Sequence, residues 1–129
     1  MTLISLLRLT ALLEGGMALA FLLVPPLPSE LLFGQAPQTP IGQILGRFVG
    51  ALMLSLAIVC WSAGNDARSP MAHSIVKAVL FYDTVAALLL VYARLGLGLC
   101  GILLWLGVIV HVILGAWCIE RLRARKNVN

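Results

Sequence analysis

Four apolar stretches, each close to the roughly 20 residues a helix needs to cross the hydrocarbon of a bilayer, fill almost the whole chain. Lipid accepts that much continuous apolar surface, provided each backbone N–H and C=O is hydrogen-bonded within its own helix. The expected fold is therefore all-α, a polytopic four-transmembrane-helix bundle forming a single transmembrane domain over residues 1–129. Composition points the same way. With 61% of residues hydrophobic and 11% charged, neither an ordinary soluble domain nor a disordered chain fits.

The first span is expected over residues 3–24, interrupted by Arg8 and Glu14. Ala18-Leu19-Ala20 resembles a signal-peptide cleavage site. Glu14, however, leaves too short a hydrophobic region behind Arg8 for a cleaved signal, so a retained helix is expected. Pro25, Pro26 and Pro28 end it, since proline lacks the N–H that continues a helix. An outer loop over 25–42 follows, in which Leu31-Leu32-Phe33 behind the cap candidate Ser29 predicts a short interfacial helix. Further spans are expected over 43–64, 73–94 and 97–120. The polar turn Asn65 to Pro70 divides the second from the third, and Gly96 with Gly98 ends the third.

Seven of the nine basic residues fall at the amino end, in the 65–77 connection or in the tail 121–129, against Arg47 and Arg94 on the opposite side. Positive charge is retained on the cytoplasmic side, which predicts a multi-pass protein of the bacterial inner (plasma) membrane with both termini cytoplasmic. Trp61 and Trp117 are then expected at the inner interface and Tyr92 at the outer one. Arg121, Arg123, Arg125 and Lys126 are expected to meet lipid headgroups. The tail has no interleaved aromatic residue on which bases could stack, so nucleic acid is not an expected partner.

Titratable residues inside the spans carry the most information, because a charge at the centre of a helix costs roughly 2.5 to 3.5 kcal/mol on insertion scales. Glu14, Asp83 and His111 fall near mid-depth on three different helices. Arg47 lies roughly 9 Å of helix rise above Glu14. Small residues mark the faces that meet: Gly42, Gly46 and Gly50 repeat every fourth residue, and Gly107 and Gly115 flank His111. An intramembrane polar cluster of Glu14, Arg47, Asp83 and His111 is therefore expected. It would be either a satisfied network, with Glu14 paired to Arg47 and Asp83 to His111 or Thr84, or a proton path or polar ligand pocket.

Other chemistry finds no support. Cys60, Cys100 and Cys118 show no paired spacing, and the first and last are expected as buried reduced thiols. His73 and His111 would lie at different depths, which excludes a pair of axial haem ligands. No nucleophile-base, phosphate-loop or metal motif occurs, so neither catalytic residues nor metal ligands are expected, and no cofactor beyond a bound lipid or quinone.

Gly46-Arg47-Phe48-Val49-Gly50-Ala51, Cys60-Trp61 before a polar turn, and Glu14-Gly15-Gly16 together resemble small bacterial four-helix membrane proteins of the DoxX-like kind. Some proteins of that kind are associated with quinone-linked oxidation complexes, so the resemblance implies an accessory subunit. The functional expectation is a non-catalytic assembly subunit packing against itself or other membrane subunits. The alternatives are a small proton-coupled transporter and a quinone- or lipid-binding subunit of a membrane oxidoreductase.

Overall fold

The computed structural model describes residues 2–126, and the side chains of Arg125 and Lys126, two of the expected headgroup contacts, lie outside the described residues. Five helices follow one another: α1 (Leu3–Leu23), α2 (Pro26–Phe33), α3 (Pro40–Asn65), α4 (Pro70–Leu95) and α5 (Leu104–Lys126). There is no strand among the described residues. α1, α3, α4 and α5 are long and apolar enough to span a membrane. The 26 residues of α3 rise about 39 Å, more than the roughly 30 Å of bilayer hydrocarbon. The chain is a multi-pass membrane protein built as a four-helix bundle.

Three spans start at side-chain caps. Thr2, Thr39 and Ser69 accept hydrogen bonds from the N–H groups of Ser5, Gly42 and Ala72, and Pro40 and Pro70 fill first-turn positions where a missing N–H costs nothing. These caps lengthen α3 and α4 beyond the expected 43–64 and 73–94. They also give Gly42 a different role from the packing expected of it. Its N–H donates to Thr39 Oγ1, and a β-carbon there would crowd Pro37 rather than a neighbouring helix.

α1 packs most closely on α3 and α4 on α5, while lighter α3–α4 and α1–α5 contacts close the ring. The α1–α3 approach depends on small residues: a β-carbon at Gly50 would stand 2.8 Å from both the Ala18 carbonyl oxygen and the Leu22 nitrogen. Gly46 meets Pro25 and Phe21, and Gly15 meets Ala57. In the half of the bundle that contains the chain termini, Leu6, Leu7, Cys60, Val76, Val79, Leu114, Trp117 and Cys118 form a continuous buried core. Trp117, expected at the inner interface, packs with its ring in this core. Trp61 is exposed beneath the Arg8 guanidinium, which lies 5.6 Å from its ring centroid.

The opposite half differs more from expectation. α5 begins at Leu104 rather than 97 and continues through the expected tail to Lys126. The preceding residues form an irregular strap. Gly96 and Leu97 donate to the Tyr92 carbonyl and Leu99 to that of Ala93, with Gly98 at φ 70°, so the strap satisfies the end of α4. Cys100 and Leu103 then donate to the carbonyls of Phe33 and Leu31 at 3.2 and 2.9 Å, docking the strap on the end of α2. Gly101 permits this contact: a β-carbon there would run into the main chain of Leu31 and Leu32. Hydropathy cannot separate such an apolar strap from a helix. α2 itself starts at Pro26, so Ser29 lies inside the helix and donates to the Pro25 carbonyl instead of capping.

Candidate functional site

Where the dry core of the terminal half ends, three helices place polar side chains together. Glu14 of α1 is 3% exposed and Asp83 of α4 is fully buried. The Tyr82 hydroxyl donates to Glu14 Oε2 at 2.7 Å, and His111 of α5 donates from Nδ1 to Asp83 Oδ1 at 2.9 Å. Successive residues of a helix point about 100° apart. One turn of α4 therefore sends Tyr82 towards α1 and Asp83 towards α5. The Tyr82 and His111 rings meet edge to face at 5.6 Å and 80°, tying the two hydrogen-bonded pairs into one group. Gly115 of α5 lies beside the cluster, where a β-carbon would be in ordinary contact with Asp83 Cβ at 3.7 Å.

Glu14, Asp83 and His111 are thus brought together as expected, with one donor atom from each within 4.8 Å of the other two. Arg47 is not part of the group. It is exposed, and the ion pairs among the described residues are Asp83–His111 and Glu120–Arg121. The reason is angular: Gly46 and Gly50 turn their side of α3 to α1, so Arg47, one residue on, points off that seam. Glu14 has Tyr82 as its partner instead. Thr84 donates to the Leu80 carbonyl on its own helix. Tyr82 was absent from the expected set, although an aromatic hydroxyl next to a mid-span acid is the kind of group that finds a polar partner when buried. Thr10, one turn from Glu14, is also buried, and its hydroxyl has no partner among the described residues.

Above the cluster, on the α2 side, lies a cavity of about 410 Å³. Glu14, Tyr82 and His111 line its floor, and the walls are apolar, including Phe21, Leu32, Phe33, Met53, Leu90 and Leu106. α2 and the strap position Leu32, Phe33 and Leu103 over it, so this short helix serves as a cover. Gly107 lines the cavity and is also a close-packing position, since a β-carbon there would stand 3.1 Å from Leu90 and 3.5 Å from Leu32. The size falls within the roughly 300–1,000 Å³ range of small-molecule sites, and apolar walls with a few convergent polar groups are their usual lining.

The remaining expected residues lie away from this site. Arg121 pairs with Glu120 near the end of α5, and Arg123 is exposed. His73 donates from Nδ1 to the Ser69 carbonyl at 3.0 Å, an interaction at the start of α4. Cys60 and Cys118 are buried free thiols and Cys100 is exposed on the strap. No protein-family model, curated protein or solved structure matches the chain.

Proposed function

We propose that the protein binds a lipophilic molecule with a hydrogen-bonding head group, of the quinone or lipid class, and does so as a small non-catalytic component of a bacterial inner-membrane assembly. The observation that carries this is the apolar cavity closed at one end by Glu14, Tyr82 and His111. An oxygen-bearing head group reaching that floor meets the imidazole and the phenol, while its apolar part is covered by Phe21, Leu32 and Phe33. Both termini face the cytoplasm, in keeping with the distribution of Lys and Arg, and the cavity then lies in the outer-leaflet half of the bundle. The exposed apolar faces of the spans meet lipid, partner subunits or a second copy of the chain.

Equilibrium titration of the detergent-purified chain with a short-tailed benzoquinone tests the proposal. Saturable binding is expected, weakened at least tenfold by Gly107→Phe, which puts a ring into the cavity, with helicity and elution volume unchanged. Absence of saturable binding, or equal affinity in the folded variant, would reject it. Proton-coupled uptake in proteoliposomes, lost in folded Glu14→Gln and Asp83→Asn variants, would point to transport instead.

A further inference from the structure

We propose that Glu14, Asp83 and His111 form a site for a divalent first-row transition-metal ion in the polar cluster that adjoins the floor of the cavity. One donor atom from each residue lies within 4.8 Å of the other two. Ligands about 2.0 to 2.2 Å from a tetrahedral zinc ion stand roughly 3.4 Å from one another, so small side-chain rotations bring the set onto one ion. His111 Nδ1 and Asp83 Oδ1, at 2.9 Å, are already near that spacing; ligation through Nδ1 puts the metal ion in place of the hydrogen bond to Asp83, with the ring proton moving to Nε2.

A second observation is independent of this proximity. Asp83 is fully buried, and its Oδ2 has no hydrogen-bond partner among the described residues. A buried carboxylate oxygen without a donor is unfavourable, and a cation within the same cluster removes that penalty. A divalent ion would also balance the charge of the two carboxylates beside a neutral imidazole.

The donor set also selects the metal. One imidazole nitrogen with carboxylate oxygens suits Zn²⁺, Fe²⁺ or Mn²⁺, whereas Cu(I) prefers thiolate and thioether. Cys60 and Cys118 are occupied in the core of the terminal half. Tyr82 would hold Glu14 in place through its hydrogen bond, as outer partners commonly orient metal ligands. The three ligands come from three helices at sequence separations no metal motif uses, which is why their spacing gave no signal.

The test is direct titration of the full, chelator-stripped chain in detergent, with Zn²⁺ followed by calorimetry and Co²⁺ by its visible ligand-field bands. Near-stoichiometric binding is expected, with Zn²⁺ displacing Co²⁺, affinity at least tenfold weaker in Asp83→Asn and His111→Gln, and no change in Arg47→Gln. Folded wild-type protein that binds neither ion, or binding of wild-type strength in both site variants, overturns the proposal. Should both variants fail to fold, the wild-type Co²⁺ spectrum decides: histidine-ligated bands support the site and the spectrum of the free aqueous ion overturns it. A parallel benzoquinone titration separates the two ideas. Quinone binding without metal binding sinks the metal site alone, and metal binding without quinone binding sinks the ligand proposal alone.

Discussion

The two halves of the bundle are built from the same apolar residue types yet packed differently. In the terminal half, Leu6, Leu7, Val76, Val79, Leu114 and Trp117 interdigitate into a dry core. In the α2 half, the same four helices leave a cavity of about 410 Å³, covered by a short helix and an irregular strap. Glu14, Tyr82, Asp83 and His111 lie at the boundary. Inside a bilayer, apolar burial gives little preference for helix over lipid, so close packing and hydrogen bonds decide where the helices meet. The comparison teaches that one half has the packing that holds the bundle together, while the other is free to keep open volume next to polar groups.

That contrast can be broken by substitution. The largest effect is expected in the core of the terminal half. Leu7→Ala should destabilise by an amount in the lower part of the about 2 to 5 kcal/mol range of buried leucines, because lipid is as apolar as the core and mainly the cavity term remains. Leu106→Ala, on the cavity wall, should cost less than half as much, since the side chain already faces open volume. Denaturation in mixed detergent measures both, and equal losses would erase the distinction between the halves.

Next comes the strap. Gly101→Ala should cost about 1 to 3 kcal/mol, because its β-carbon meets main chain at Leu31 and Leu32 rather than a movable side chain. The same variant should speed proteolysis between α4 and α5. Normal stability with unchanged cleavage would show that the strap does not dock on α2.

A smaller change, about 0.6 to 1.7 kcal/mol, is expected for Tyr82→Phe, which removes one intramembrane hydrogen bond and leaves the ring against His111. Arg47→Gln should change stability least, by under about 0.5 kcal/mol, because the side chain is exposed. If Arg47→Gln instead matched Tyr82→Phe, Arg47 would belong with Glu14 after all. Thermal unfolding of the two variants side by side makes that comparison.

Much of this arrangement is legible in the sequence, and the exceptions have identifiable causes. Continuous apolar runs marked the four spans because lipid imposes the same requirement on every crossing helix. Mid-depth placement of Glu14, Asp83 and His111 followed from counting residues along each run. The Thr39-Pro40 and Ser69-Pro70 starts were written in the chain as cap-plus-proline pairs, yet hydropathy passes over them because they are polar. Leu97 to Leu103 misled in the opposite direction, being apolar and not helical. Arg47 was misplaced because depth alone says nothing of rotation about the helix axis.

The chain by itself determined that it crosses a membrane four times as helices, and that Glu14, Asp83 and His111 lie at one depth. Both follow from transfer free energies that each segment meets independently. Only the tertiary structure decided which of those groups touch, that Tyr82 and not Arg47 joins Glu14, and that α2 and the strap cover a cavity above them. Those outcomes depend on rotation and close approach between helices. They are set by where Gly50, Gly101 and Gly107 allow neighbouring groups to come near, and no single segment specifies that alone.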